Sequence, residues 1–274
     1  MLALGTIAAI AGSLAGLGGG FIVAPVLRIV FHRSPESAAA LSLVMVTANV
    51  ASASLAFLRQ GRVDVRLGVT MGLLAIPGSI LGAVLVRHAP GAWFDSLYAA
   101  MLIAFAVGIA RKPAEHAAGG VRKLPWSTTR HFREPLGGSE FVYASSQPIA
   151  MMAGLATGFL SSFFGIGGGI LVVPLLLRLF LMPAHVVSAT SHFVILFSAP
   201  FGVATHAAAG DIDWLLAIPL AVGGLAGGQI GAAASRKISG PGLVRLVAVL
   251  LVAAALSLIG EHARELLQAA AARS

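Results

Sequence analysis

The sequence predicts an all-α, polytopic integral membrane protein with about eight hydrophobic segments, arranged as two repeats of four. Composition is the first observation: of 274 residues, 58% are hydrophobic and only 10% are charged, whereas soluble domains carry about a quarter charged residues. Long apolar runs and an internal repeat are the other two. The composition excludes a soluble enzyme and a disordered chain, and the absence of cysteine excludes a disulfide scaffold.

Eight apolar runs make up most of the chain. A spanning helix needs about 20 apolar residues, and six runs suit single helices or nearly so, while the first and fifth are longer and contain glycine clusters. The runs are Met1–Leu27, Ser37–Leu58, Leu67–Val86, Trp93–Ala110, Gln147–Leu177, His185–Ala209, Trp214–Ser235 and Leu246–Gly260. They predict a first transmembrane repeat at 1–110, a second at 147–260 and an alanine-rich tail at 261–274.

A shift of 149 residues superimposes the two halves, with Gly16–Gly20 on Gly165–Gly169 and no gap. Shared membrane composition explains coincident Ala and Leu but not paired Gly, Pro, Asp and Arg, so the chain is read as a duplication. Secondary transporters are commonly built from duplicated halves, with the substrate site where the halves meet. The further pairs are Pro25 and Pro174, Ser42 and Ser191, Gly61 and Gly210, Asp64 and Asp213, Gly78 and Gly227, Gly82 and Gly231, and Arg87 and Arg236.

The long polar stretch 111–146 joins the halves and is rich in Lys and Arg. The positive-inside rule therefore predicts a basic cytoplasmic linker loop at 111–146. If the first segment of each repeat crosses the bilayer once, the halves are parallel. If it is a re-entrant hairpin, they are inverted. Re-entrant hairpins separate the basic residues more cleanly between the two faces, so inverted repeats are favoured, but both arrangements stay open at this point.

Each glycine cluster breaks an apolar run just before a segment that can be helical. Glycine permits unusual backbone angles, and a helix that starts after such a break directs free N–H groups and its positive dipole end towards it. Since non-helical backbone at membrane depth must be buried in protein or line a cavity, two related breaks predict one anion site near the bilayer centre. The alternative is a kink or tight packing without a ligand. The predicted backbone donors are Gly18, Gly19, Gly20, Gly167, Gly168 and Gly169.

Few polar side chains lie inside the apolar runs. Ser42 and Ser191 are repeat counterparts, and Asn49 and His192 are costly to bury, so these four are predicted as supplementary substrate contacts; helix–helix hydrogen bonds are the alternative. No Asp, Glu, Lys or Arg lies near the centre of any run, which disfavours a cation pump. His192 and His206 are the deep titratable groups, and either could couple transport to protons.

Other paired residues have structural interpretations, and no nucleotide, metal or cofactor site is predicted. Neither glycine cluster continues into a dinucleotide fingerprint or a phosphate loop, so ATP-driven transport by this chain alone is unsupported. The prolines are predicted to kink helices, the aspartates to cap helix N-termini, and the Gly-xxx-Gly pairs to let helices pack closely. These residues are Pro25, Pro174, Asp64, Asp213, Gly78, Gly82, Gly227 and Gly231.

The two Gly-x-Gly-Gly-Gly-(x)4-Pro elements, from Gly16 to Pro25 and from Gly165 to Pro174, resemble those of the sulfite exporter TauE/SafE family of permeases. The resemblance covers nearly the whole chain apart from the linker and the tail. It implies transport of sulfite, sulfonates or related organosulfur and carboxylate anions across the bacterial inner membrane, with the glycine motifs carrying the transport site.

The leading hypothesis is therefore a secondary transporter for small anions, working by alternating access around a site between the two breaks. Its predicted partners are a small anionic substrate and the lipid bilayer, not nucleic acid. One alternative is a membrane subunit that needs a soluble energising partner, docked on the basic linker. An intramembrane enzyme is disfavoured because no deep nucleophile or metal-ligand cluster is present in the sequence. The transported anion, its direction, the coupling ion and the oligomeric state stay open.

Overall fold

The computed structural model describes residues 1–110, 126–133 and 140–235 and scattered positions between 249 and 260. A 3-10 turn, Val86–His88, follows the helix Val65–Leu85, and a π turn, Leu175–Leu179, follows the helix Gly169–Pro174. Most of the eighth predicted segment, Leu246–Gly260, and the tail 261–274 lie outside the described residues. The helices are α1 (Leu2–Ala15), α2 (Gly20–Ile29), α3 (Pro35–Arg59), α4 (Val65–Leu85), α5 (Gly91–Ala110), α6 (Gln147–Phe164), α7 (Gly169–Pro174), α8 (Ala184–Ala208) and α9 (Trp214–Ala234).

Within the described residues, four helices are long and apolar enough to cross a membrane: α3, α4 with its 3-10 turn, α8 and α9. Several shorter apolar helices accompany them, among them α1 and α2. The structure is thus mostly helical, as predicted, with four helices of spanning length.

Ion pairs and hydrogen bonds between loops define two ends of the helical bundle. At the upper end, where α3 begins and α4 ends, Arg33 pairs with Asp213 (3.1 Å) and Arg87 pairs with Asp211 (2.8 Å). At the lower end, where α3 ends and α4 begins, Arg62 donates to the hydroxyl group that follows α9 and to a carbonyl in the first turn of α8. Both ends therefore connect the first half of the chain to the second.

Glycines let α4 pack directly on α6 and α1 on α9. A Cβ atom placed on Gly78 would lie 2.0 Å from the carbonyl oxygen of Leu155, and one on Gly227 would lie 2.5 Å from that of Thr6. Real Cβ atoms essentially never come so close to other atoms, so only glycine fits at these crossings. The packing interpretation of the Gly-xxx-Gly pairs is confirmed.

The two paired aspartates cap helices, as predicted. The Oδ1 atom of Asp64 accepts a hydrogen bond from the backbone N–H of Leu67 (2.9 Å) at the start of α4. Asp213 accepts one from Leu215 (3.2 Å) at the start of α9. Each carboxylate satisfies a backbone donor that has no partner within its helix.

The linker contains a β-hairpin, so the prediction of an all-α chain with a loop throughout 111–146 was wrong in this detail. Strand β1 (Ser127–Arg133) pairs antiparallel with β2 (Glu140–Ser146). Both strands are short and rich in β-branched and aromatic residues, which favour strands, but the basic residues around them masked this pattern. Tyr143 is 2% exposed, and its hydroxyl donates to the Oδ2 atom of Asp64. The hairpin therefore packs on the lower end.

Candidate functional site

Both glycine clusters interrupt helical structure. Helix α1 ends at Ala15 and α2 begins at Gly20, while α6 ends at Phe164 and α7 begins at Gly169. The intervening glycines adopt φ angles between 69° and 94°, a left-handed region that residues with a Cβ rarely enter. The breaks therefore depend on glycine. The residues with these angles are Gly16, Gly18, Gly19, Gly165, Gly167 and Gly168.

Each break reverses the direction of the chain. A Cβ atom on Gly19 would lie 2.4 Å from the carbonyl oxygen of Ala8 in α1, and one on Gly168 would lie 2.8 Å from that of Thr157 in α6. Residues 11 positions apart in one continuous helix would be separated by about 16 Å. Helices α1 and α2 thus form one broken hairpin, and α6 and α7 form the other.

The two breaks touch each other in the interior of the bundle. A Cβ atom on Gly20 would lie 2.0 Å from the carbonyl oxygen of Gly165, and one on Gly169 would lie 2.2 Å from that of Gly16. These two contacts are equivalent under the 149-residue shift. The start of each returning helix therefore rests against the break of the other hairpin.

The side chain of Val46, on α3, fills the space beside the breaks. Cβ atoms placed on Gly18 and Gly167 would lie 3.1 Å and 2.8 Å from its Cγ1 atom. Val46 itself is fully buried. The backbone of the two breaks is closely packed in this conformation.

Ser42 and Ser191 each join one half of the chain to the break of the other half. The hydroxyl of Ser42, on α3, donates to the carbonyl oxygen of Gly165 (2.7 Å) and lies 3.2 Å from that of Gly20. The hydroxyl of Ser191, on α8, donates to the carbonyl oxygen of Gly16 (2.7 Å). Both serines are fully buried, and the structure brings both to the breaks.

Asn49 holds the first break from α3. Its Nδ2 atom donates to the carbonyl oxygen of Gly18 (2.8 Å), and its Oδ1 atom accepts a hydrogen bond from the hydroxyl of Ser13 (2.7 Å). Sequence reasoning missed Ser13. Its counterpart at the 149-residue shift is Ser162, and this pairing of buried serines was the signal that could have found it.

The ring of His192 contacts its own helix and α3. Its Nδ1 atom lies 3.0 Å from the carbonyl oxygen of Ser188 in its own helix, and its ring meets Phe57 of α3 edge-on, with 5.4 Å between centroids. In the described part of the chain, its buried Nε2 atom has no hydrogen-bond partner. Among the described residues, the contacts of His192 are thus with α8 and α3.

Ser42, Asn49 and Ser191 all donate to carbonyl groups of the breaks. These three bonds do not involve the backbone N–H groups at the starts of α2 and α7. The first four amides of a helix have no partner within that helix. Three amides at these helix starts are nevertheless bonded locally: that of Gly169 to Gly167 (2.9 Å), that of Ile22 to Gly19 (3.2 Å) and that of Leu171 to Gly168 (3.1 Å). With their carbonyls satisfied and their N–H groups at helix starts, the breaks offer the electrostatics that suit an anion.

A cavity of about 300 Å³ opens at the upper end between the α2–α3 loop and the α8–α9 loop. One of these loops belongs to each half of the chain. The cavity is lined by Arg33, Ser34, Glu36, Ser37, Gly210, Asp211, Ile212 and Asp213.

A family model for sulfite exporter TauE/SafE matches residues 1–258 of the chain. The chain belongs to the TauE/SafE family. The resemblance inferred from the doubled glycine motif is therefore confirmed, and family membership, together with the four helices of spanning length, makes this TauE/SafE protein a multi-pass membrane protein.

Relatives of this TauE/SafE chain are described as probable membrane transporter proteins. YunE of Bacillus subtilis (strain 168) is 30% identical over 272 residues, which cover 95% of this chain and 97% of YunE. MJ0441 of Methanocaldococcus jannaschii is 29% identical over 182 residues, 64% of this chain and 60% of that protein. No solved structure matches the chain. The family and its relatives point to a membrane transporter rather than an enzyme.

Proposed function

We propose that the protein is a secondary transporter for small anions, such as sulfite, sulfonates or related organosulfur and carboxylate compounds. Transport proceeds by alternating access around a site between the two breaks. The observation that carries this proposal is the reciprocal bonding across the interface, in which Ser42 holds Gly165 and Ser191 holds Gly16. Secondary transporters built from two related halves place their substrate site at the interface of those halves.

Inverted repeats fit the path of the broken hairpins. Helix α1 runs alongside α9 in the same direction, with Gly5 against Leu220 and Ile10 against Gly231, and α2 leads to the start of α3, so this hairpin enters the bundle from the upper end. Helix α6 follows the β-hairpin at the lower end, and α7 leads back to the start of α8. The two hairpins therefore approach from opposite ends, as re-entrant segments of inverted repeats do.

The lower end is cytoplasmic in this proposal, and the membrane is the bacterial inner membrane. The β-hairpin of the basic linker packs at the lower end through Tyr143 and Asp64. Since basic segments stay on the cytoplasmic side, the linker 111–146 is placed in the cytoplasm. The cavity beside Arg33 then faces the outside.

Backbone groups hold the anion in this mechanism. No carboxylate or cationic side chain lies near the centre of any apolar run, so Gly18, Gly19, Gly20, Gly167, Gly168 and Gly169 supply N–H groups, and the amide of Gly169 must leave the carbonyl of Gly167 to do so. Ser42, Asn49, Ser191 and His192 remain the proposed supplementary contacts. Because Val46 packs against both breaks, the described conformation is closed around the site, and the broken hairpins must shift relative to α3 and α8 to admit substrate.

Reconstitution of the purified chain alone tests the proposal. We expect proteoliposomes without ATP to take up labelled sulfite or a labelled sulfonate. Ser42→Ala and Ser191→Ala should each slow uptake about fivefold, because a net hydrogen bond contributes about 1 kcal/mol. Ser198→Ala is the matched control, since Ser198 is also a buried serine of α8 but its hydroxyl bonds to Ile195 in its own helix (3.3 Å).

Each outcome of this experiment supports or contradicts a specific part of the proposal. Uptake without ATP removes the alternative of a subunit that needs a soluble energising partner. Unchanged uptake in both serine variants, or an equal loss in Ser198→Ala, would contradict the role given to the reciprocal bonds. Absence of wild-type exchange for every sulfite, sulfonate and carboxylate probe would overturn the transport proposal itself.

A further inference from the structure

His206 lies near the upper end of α8, and both of its ring nitrogens face acceptors. It is fully buried. Its Nδ1 atom is 2.9 Å from the Oδ2 atom of Asp211, and its Nε2 atom is 3.2 Å from the backbone carbonyl oxygen of Ser162. The imidazole of His206 therefore contacts both a buried carboxylate and a backbone carbonyl oxygen of another helix.

This arrangement suits only the protonated ring. A neutral imidazole has one N–H donor, whereas the imidazolium has two. An ionised carboxylate and a carbonyl oxygen can only accept, so the neutral ring leaves one of its nitrogens facing an acceptor lone pair. Loss of the proton must therefore weaken the contact of His206 with Asp211 or with Ser162.

We propose that proton binding at His206 is coupled to movement of the α6–α7 broken hairpin, so that the transported anion moves together with a proton. This inference rests on the transport function proposed above and names its coupling ion. It assigns to His206 a positioning role at some distance from the substrate, acting through α6.

The route from His206 to the second break is short. Ser162 lies three residues before Gly165, where α6 gives way to the break. Its hydroxyl is 2.5 Å from that of Ser79 on α4, and Ser79 also lies 2.7 Å from the carbonyl oxygen of Ser198 on α8. His206 and Ser79 thus hold Ser162 together, and loosening the contact with His206 weakens the hold on the end of α6 beside the glycine motif.

Asp211 supplies the negative charge that this site needs. Burial alone would raise the pKa of the Asp211 carboxyl, but hydrogen bonds from Arg87 and His206 outweigh burial and lower that pKa. The carboxyl thus stays ionised near neutral pH. Its side chain is 5% exposed and lines the 300 Å³ cavity of the upper end, which gives His206 a polar path to solution.

Other charged groups at this end are Arg87 and Glu36, which belong to the same cluster, and Arg28, which pairs with Asp95 instead. Arg87 binds Asp211 and also donates to the carbonyl oxygen of Ala209, and Glu36 acts electrostatically on Arg87. Helix α6 contributes no titratable side chain, and neither does the half of α4 from Met71 to Leu85. The remaining charged residues lining the cavity are Arg33 and Asp213.

His192, the other deep histidine, lacks these features. Its Nδ1 atom contacts a carbonyl of its own helix, and Phe57 packs against the ring. None of its described contacts is to a carboxylate. The geometry therefore assigns proton coupling to His206 and not to His192.

The test measures exchange of the anion and its coupling to protons separately, in proteoliposomes. The probe is labelled ethanesulfonate, since a sulfonate is permanently charged while sulfite itself binds protons near neutral pH. Exchange of labelled for unlabelled probe is measured at equal pH, and accumulation is measured under an imposed pH gradient of each polarity. His206→Gln and Asp211→Asn should retain exchange but lose about tenfold in pH-driven accumulation, a size typical of coupling between sites.

His88→Gln is the matched control, because His88 is exposed at the same end, and it should behave as wild type. Wild-type exchange without pH-driven accumulation would overturn the inference, as would His206→Gln accumulation equal to wild type. Infrared difference spectra of the purified protein between acidic and neutral pH give a second readout. A histidine band present in wild type and absent in His206→Gln supports the inference even where no probe is exchanged, and its absence from wild type contradicts it.

Discussion

At the residue scale, three short polar side chains buried beside the breaks are each hydrogen-bonded to the backbone there. A buried polar group without a hydrogen bond costs about 1–3 kcal/mol. Ser42, Asn49 and Ser191 each bond to a carbonyl oxygen that a helix break has left free. Glycine interrupts the helix and leaves backbone carbonyl oxygens without a helical partner, and serine or asparagine donates a hydrogen bond to them. The breaks and their polar neighbours therefore depend on each other.

Asn49 offers the sharpest test at this scale. Asn49→Ala leaves the carbonyl of Gly18 and the hydroxyl of Ser13 without their partner, and should destabilise the protein by about 2–3 kcal/mol. The measurement is thermal unfolding of the purified protein in detergent. Thr47→Val is the control, since the Thr47 hydroxyl bonds within its own helix (2.8 Å). Equal melting temperatures for the two variants would contradict the role of Asn49.

At the element scale, the two broken hairpins differ from ordinary spanning helices in where their ends lie. Helix α2 starts and α1 ends inside the bundle, against the corresponding ends of α7 and α6. Helix ends at that depth require protein partners because lipid offers none. These ends meet one another and the serines of α3 and α8, which is why the breaks lie at the interface of the two halves.

Substituting a break glycine should abolish transport and leave the protein in the membrane. Gly19→Leu and Gly168→Leu each force a side chain into a left-handed conformation, at a cost of about 1–2 kcal/mol, and onto the backbone of the preceding helix. Uptake in proteoliposomes and membrane yield are the two measurements. Gly91→Leu is the control, because the nearest atom to a Cβ there is 3.4 Å away. Full anion flux in both break variants would refute the site.

At the scale of the whole molecule, the repeat made sequence reasoning most informative, because it supplied each observation twice. The paired glycines predicted the helix breaks, and the paired aspartates predicted the caps that Asp64 and Asp213 form. It could not place residues whose partners lie far away in the chain. The bond from His206 to Ser162 and the contacts of Val46 with both breaks depend on tertiary packing, and no local pattern encodes them.

Orientation in the membrane is the last property of the whole molecule, and the absence of cysteine makes it directly measurable. Ser34→Cys and Ala208→Cys place exposed thiols at the upper end, while Val65→Cys places an exposed thiol and Ala184→Cys a half-buried one at the lower end. In the inverted arrangement, an impermeant maleimide added to spheroplasts should label the upper pair, and the lower pair only after lysis. Single-crossing, parallel halves instead put Ala208 in the cytoplasm and Ala184 outside, so labelling of these two sites distinguishes the arrangements. A reporter fused to Ser274 should then lie outside, because one further predicted span follows α9.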